Sequence, residues 1–312
     1  MSDIFIVGSP RSGTSWLRTL LASHPDLASP HELHLFERYF SPIERAWQTE
    51  DQVLQRRLAA GLSSGAGLVS LLGRDDLLGW MGDLFARARR AALAARPGSS
   101  RVLEKTPANA RHLELIRQLV PGARFVHVVR DPRRTIASMI EKNRRPFGEW
   151  APGEVLRGTS LWRAHVTAAL RDARPEDTIL VHYEALRADV PGSLRRLADF
   201  LELPGDVESW LAGDPTAPAY ERERTLTIGR PIENTKFDDP EAARLREAIG
   251  AQTSRTLSSG ALWYIESRCA AEMATLGYEP RLFTPGKPQP VRALTAAVEL
   301  QGRRLLHRIA TR

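Results

Sequence analysis

The chain is poor in cysteine, in lysine and in long apolar runs, and each shortage excludes something. Cys269 is the single cysteine in 312 residues, so no intrachain disulfide can form, and the composition suits a reducing compartment. The apolar run Ile4–Val7 near the N-terminus is too short for a signal-peptide core or a membrane span. No other stretch supplies the roughly 18 uninterrupted apolar residues of a spanning helix. We therefore expect a soluble, cytoplasmic protein. No cluster of side chains has metal-ligand spacing, so no metal is expected.

Lysine is scarce in an otherwise basic chain. Lys+Arg number 44 against 37 Asp+Glu, for a formal charge of +7, and the pI is about 10.0. Only Lys105, Lys142, Lys236 and Lys287 are lysine. A lysine kept inside a motif of such a chain marks a place where a compact ammonium serves and a wide guanidinium does not. The basic balance suits a polyanionic ligand. Basic residues do not interleave with aromatics as on a base-stacking platform, so no nucleic-acid partner is expected.

What is present is an alternation of short apolar strands with helical stretches. Residues 3–8, 101–104, 124–129 and 178–182 read as strands. Helical spacing follows in 13–23, 108–119, 131–140 and 194–201, with a short helix over 205–212 and another from Glu241. Residues 32–97 read as mainly helical and 216–239 as loop. The fold class expected is α/β: a parallel central sheet with flanking helices, P-loop NTPase-like. A helical insertion occupies about 36–100. A single domain spans 1–283, and 284–312 form a linker and a basic amphipathic helix, 291–309. That helix packs on its own domain, packs on a second subunit of a homodimer, or touches an anionic membrane; the first two uses are the commoner.

The segment Gly8-Ser9-Pro10-Arg11-Ser12-Gly13-Thr14-Ser15 lies between the first strand and the first helix. Its glycines are spaced as in a Walker A loop, which wraps phosphate in backbone N–H groups beside a helix N-terminus. Thr14 stands where a triphosphatase carries lysine, and the charge moves forward to Arg11. The apolar run Val128-Val129 ends in Arg130 rather than in a carboxylate that could hold Mg²⁺. The loop is built for phosphate, but the kinase or triphosphatase version of that chemistry is poorly served.

PRSGTSWL resembles the 5′-phosphosulfate loop of the PAPS-dependent sulfotransferases. RFVHVVRDPRRTIAS, 124–138, resembles their 3′-phosphate element, in which a serine follows eight residues after an arginine; Arg130 and Ser138 have that spacing. EKTP at 104–107, VHYEAL at 181–186 and LGYEP at 276–280 are also similar to family features, so the likeness covers about 3–280. HPDLASPHELHLF, 24–36, is similar to the protein-tyrosine sulfotransferases.

The resemblance implies sulfuryl transfer from PAPS, with PAP as product and no metal. The acceptor is a hydroxyl, less readily an amine, and the sequence leaves carbohydrate, lipid-linked sugar, phenol, another small molecule and peptide all open. It implies nucleotide contacts from Arg11, Ser12, Gly13, Thr14, Ser15, Trp16, Arg130, Ser138, Tyr183 and Lys236. Catalytic roles fall to Arg11 and Lys105 on the sulfuryl group and to Glu32 as base, with His31 and His34 as rivals. Plainer uses stay open at this point: core packing for Trp16 and Tyr183, and a helix-start salt bridge for Arg130. Lys105 could pair with Glu104 at the surface, and Glu32 could cap a helix over 32–40.

Overall fold

The computed structural model describes residues 2–62, 67–145, 147–207, 257–298 and 300. Its frame is a sheet of five strands: β1 (Ile4–Gly8), β2 (Leu27–Ala28), β3 (Arg101–Lys105), β4 (Arg124–Val129) and β5 (Thr178–His182). The order is β2-β3-β1-β4-β5, and every pair is parallel. The sheet is the expected one, with β2 as an addition.

The sequence explains the central position of β1. All five of its residues are buried, as a strand covered on both faces requires. Ile4 and Ile6 pack with Leu17 and Leu21 of α1 (Thr14–Leu21) and with Leu194 and Leu197 of the helix Val190–Leu201. Phe5 and Val7 point the other way, to Phe36, Phe85 and Phe125. The Phe5 ring lies 6.0 Å from that of Phe85 and 5.8 Å from that of Phe125. Truncating Phe5 to alanine is expected to cost about 3–5 kcal/mol.

The chain between β2 and β3 carries a π-helical turn, Leu35–Phe40, then α2 (Ser41–Ala59) and α3 (Arg74–Ala94). After β3 come a 3₁₀ turn, Pro107–Arg111, and α4 (Leu113–Leu119). The continuous helix expected over 108–119 is therefore broken. His112 leaves helical geometry at φ −135°, ψ 22°, and Asn109 is turned inward to donate to Glu104.

α5 (Pro132–Asn143) follows β4, and α6 (Val155–Asp172) precedes β5. α6 was not foreseen because its buried face includes Gly158, Thr159 and His165, which dilute the apolar period. Gly158 is needed there: a Cβ would meet Cγ2 of Ile136 on α5 at 2.9 Å. α7 (Tyr183–Ala188) and α8 (Val190–Leu201) follow β5.

α9 (Ser259–Arg268) and α10 (Ala270–Thr275) close on α5 and α6. The C-terminal helix is described over 290–298; it buries Ala296 and leaves Val291, Leu294 and Val298 exposed. Among the described residues no helix is long and apolar enough to cross a membrane. The expectations over 208–256, including the short helix of 205–212 beyond Val207, and over 301–309 lie outside the described residues.

Candidate functional site

The C-terminal ends of β3, β1, β4 and β5 lie side by side. Ile6 is in register with Lys105, and Gly8 with Val128. The loops that leave these ends therefore share one sheet edge, where ligands of open α/β sheets bind.

The loop after β1 turns sharply. Gly8 has φ +152°, and a Cβ there would sit 2.4 Å from the Val128 carbonyl oxygen. Arg11 adopts left-handed geometry at φ 69°. Gly13, the N-cap of α1, has φ +102°, and a Cβ would lie 2.3 Å from the Tyr183 ring. No side chain caps α1, so its first N–H groups and positive dipole end face the loop. Ser12 is buried and its hydroxyl donates to the Ser9 carbonyl at 2.7 Å; it braces the loop from within. Thr14 is also buried.

The two anion motifs meet. Arg11 Nε donates to Ser138 Oγ at 3.2 Å, and Arg130 Nη1 donates to the Arg11 carbonyl at 3.3 Å. The Arg130 guanidinium lies 4.5 Å over the Tyr183 ring, and Tyr183 meets Trp16 edge to face at 5.7 Å. Both guanidiniums are pushed below their ordinary range. For Arg11 desolvation comes first, then the charges of Arg130 and Arg145. For Arg130 desolvation again dominates, opposed by Tyr183 and Glu184. Arg130 Nε is buried with no hydrogen-bond partner. Crowded like charges and an orphaned buried donor are what a polyanion would satisfy.

Arg130 is not consumed by a salt bridge at the helix start. Asp131 caps α5 by accepting from Arg133 N at 2.8 Å, and it pairs with the Arg133 guanidinium at 2.7 Å. Trp16 is half-buried and packs at the edge of the core rather than inside it.

Lys105 is buried, and its ammonium donates to Ser15 Oγ at 3.1 Å and to Glu32 Oε1. Burial pushes its pKa down, and Glu32 opposes the fall. The alternative of a surface lysine paired with Glu104 is thereby replaced. Glu32 caps no helix, because helical structure begins only at Leu35. Its second oxygen lies 3.3 Å from His34 Nε2, and the other side of that ring lies 3.2 Å from Glu37. His31 is exposed. Of the three rivals for the base, Glu32 is the one in contact with the buried cation. Lys236 lies outside the described residues.

The sequence offers Glu104 only as a surface partner for Lys105. It is 1% exposed and its carboxylate accepts from Leu33 N at 3.2 Å, Thr106 N at 3.1 Å, Thr106 Oγ1 at 2.5 Å and Asn109 Nδ2 at 2.6 Å. It thus moors the 31–34 segment beside Lys105. Burial raises its pKa, against the hydrogen bonds from Thr106 and Leu33. The available signal was a glutamate on a strand otherwise buried.

Among the described residues no group of His, Cys, Asp and Glu could hold a metal ion.

The chain was compared with known proteins. A putative protein-tyrosine sulfotransferase of Caenorhabditis briggsae is 25% identical over 202 residues, 64% of this chain and 65% of that protein. The nodulation protein NoeE of Sinorhizobium fredii is 30% identical over 135 residues, 43% of this chain and 30% of that protein. The chain thus spans about two thirds or less of the length of these relatives. The sulfotransferase domain of the curacin biosynthetic pathway superposes with a TM-score of 0.52 at 19% identity, covering 90% of this chain and 99% of that one. The sulfotransferase domain of the Synechococcus PCC 7002 olefin synthase gives 0.51 at 24% identity, covering 89% and 94%. Both show the same P-loop NTPase-like fold. The family model described as the sulfotransferase family matches residues 3–207, two thirds of the chain and all of the edge that carries Arg11, Glu32, Lys105, Arg130 and Tyr183: the chain belongs to the sulfotransferase family.

Proposed function

We propose that the protein is a PAPS-dependent sulfotransferase that releases PAP and sulfates a hydroxyl, or less readily an amine, of a small-molecule, carbohydrate or lipid-linked acceptor in the cytoplasm. One observation carries the reading: Arg11 and Arg130, from two neighbouring strand ends, touch each other, and Lys105 joins the same loop to a carboxylate.

The residues fit PAPS. Its 3′-phosphate would take the Arg130 fork and the Ser138 hydroxyl; its 5′-phosphosulfate would take Arg11, the N–H groups of the loop, Thr14 and Ser15. Trp16 and Tyr183 offer a partly exposed aromatic corner for adenine. When bound, PAPS supplies an activated sulfuryl group whose bridging S–O bond breaks as the new bond to the acceptor oxygen forms.

The chain's own residues then have two tasks, to take one proton and to hold one growing charge. Glu32 accepts the acceptor's hydroxyl proton. Lys105 touches Glu32 on one side and Ser15 of the loop on the other, so a single ammonium faces both the base and the leaving side. Arg11 adds a second cation there. Because Lys105 is buried, its field is little screened. The ammonium that contacts Glu32 in the free protein would serve the leaving oxygen once Glu32 has taken the acceptor's proton.

Titration calorimetry with PAP in the absence of metal, with ATP as control, tests the cofactor. Micromolar binding of PAP and weak binding of ATP are expected. A preference for Mg-ATP would transfer the loop to phosphoryl chemistry and end this reading.

A further inference from the structure

The LGYEP segment, 276–280, follows α10 and contributes nothing to the contacts described so far. Tyr278 lies within it. Its backbone N–H bonds to the Met273 carbonyl at 2.9 Å, and its hydroxyl donates to Glu184 Oε2 at 3.0 Å. Glu184 Oε1 accepts the backbone N–H of Asp131 at 3.1 Å. One carboxylate therefore ties the 276–280 segment to the peptide that follows Arg130. His182 Nδ1 is 3.3 Å from the Tyr278 oxygen, with the two rings edge to face at 5.6 Å. Since the tyrosine proton goes to Glu184, His182 donates to the tyrosine oxygen. The result is a directed chain, from His182 to Tyr278 to Glu184, whose members polarise one another. Burial, then the Glu184 charge, pushes the Tyr278 phenol well above its ordinary range; it stays a donor.

The other side of the same peptide is held as well. The Arg130 carbonyl accepts Trp162 Nε1 at 3.2 Å and Thr135 Oγ1 at 3.4 Å. Arg133, two residues after Asp131, donates to the Glu279 carbonyl at 3.1 Å and to Glu266 at 2.7 Å. Glu266 is fully buried and also accepts the N–H groups of Arg281, Leu282 and Phe283. The segment 266–283 is thus anchored behind the turn 130–133. Glu184 is also the direct neighbour of Tyr183, whose ring carries the Arg130 guanidinium. The peptide of Arg130 and the ring beneath its side chain are set by two adjacent residues, and Tyr278 fixes one of them.

We infer that Tyr278, acting through Glu184, is a positioning residue that aims the Arg130 fork and so sets the preference of the site for a nucleotide with a 3′-phosphate. The inference rests on the assignment of Arg130 to that phosphate. It assigns a function to the C-terminal segment, beyond the matched residues 3–207: it is a brace for nucleotide selection.

The test is Tyr278→Phe, which removes one oxygen and leaves the ring. Calorimetry is run with PAP and with adenosine 5′-phosphate, which lacks the 3′-phosphate. PAP affinity is expected to fall about 5- to 10-fold while that for adenosine 5′-phosphate stays within about twofold, a loss typical of one hydrogen bond. In the Arg130→Ala background the same substitution should change neither affinity, because its route has been removed. Equal weakening of both nucleotides, or an undiminished effect in that background, overturns the inference. If Tyr278→Phe does not fold, Glu184→Gln is measured the same way and must show the same selective loss. The wild-type protein separates the two levels of argument: a failure to prefer PAP over adenosine 5′-phosphate would refute the nucleotide assignment itself, whatever Tyr278 does.

Discussion

Replacing Arg130 by alanine should leave the free protein nearly as stable as before and make it almost blind to the 3′-phosphate. In the free protein the side chain contributes one hydrogen bond to the Arg11 carbonyl, worth about 0.5–1.5 kcal/mol, and a place over Tyr183, worth about 0.5–2 kcal/mol. Against these stand the buried Nε without a partner, a cost of about 1–3 kcal/mol, and the repulsion that depresses Arg11. The terms nearly cancel, so the variant should stay within about 1 kcal/mol of the wild type, or about 1.5 °C in Tm for a chain of this length. PAP binding has no such cancellation. The fork makes charge-assisted bonds to phosphate, and about 3 kcal/mol, roughly 150-fold in Kd, should be lost. Adenosine 5′-phosphate should bind as before. Calorimetry with both nucleotides and thermal melting of the free variant supply the numbers. A drop of several kcal/mol in the free protein's stability would make Arg130 a structural residue, and equal losses for the two nucleotides would remove it from the 3′-phosphate.

Three further outcomes are expected. Glu32→Gln should lower kcat by about 10²–10⁴ with PAP affinity within twofold in calorimetry; parallel loss of binding would make Glu32 part of the nucleotide site rather than the base. Lys105→Arg should remain at least tenfold slow in single-turnover sulfuryl transfer, because the planar fork cannot take the place of an ammonium wedged between Ser15 and Glu32; full activity would show that charge alone suffices. His127 on β4 is buried with both ring nitrogens unpartnered, and burial drives its pKa to about 3, below the unfolded value of about 6.5. Its folded-state benefit is complete above that unfolded value and lost as pH falls toward 3, by about 2 kcal/mol at pH 5. Urea titrations of the wild type and His127→Leu at pH 7 and pH 5 should differ by that amount, and identical losses would place the proton elsewhere.

Much of the frame and half of the site were legible because they are local. β1, its loop and α1 are continuous in sequence, as are β4, Arg130 and Ser138, and in each a buried strand fixes where the polar residues emerge. The foreseen Arg11, Lys105, Arg130 and Tyr183 all come to one edge because parallel strands end at the same side. What escaped notice depends on pairs far apart in the chain. No pattern around residue 104 announces that its carboxylate holds the N–H of Leu33. α6 hides its helical period behind Gly158, whose fit is decided by Ile136, and behind Thr159 and His165, which are held by hydrogen bonds to the Val155 and Leu161 carbonyls rather than by hydrophobicity.

In the proposed mechanism, the division of labour around Glu32 makes such distant pairs matter for chemistry. A carboxylate in contact with a buried ammonium shares that cation with whatever lies on the ammonium's other side, whereas one far from any cation could not be coupled to the leaving side. The protein places Glu32 on an extended segment, half-exposed, and moors that segment through Leu33 to Glu104 and through His34 to Thr106, whose hydroxyl accepts at 3.4 Å. Glu104 and Lys105 are neighbours on β3, so one strand end supplies both the mooring and the cation. The separation between the Glu32 carboxylate and the ammonium is therefore set by strand geometry rather than by the flexible side chains alone. The proposed sulfuryl transfer would gain from this, because proton removal and charge growth would occur on opposite sides of one sulfur atom. In that mechanism the shared ammonium would turn its field to the oxygen that acquires charge as Glu32 loses its own.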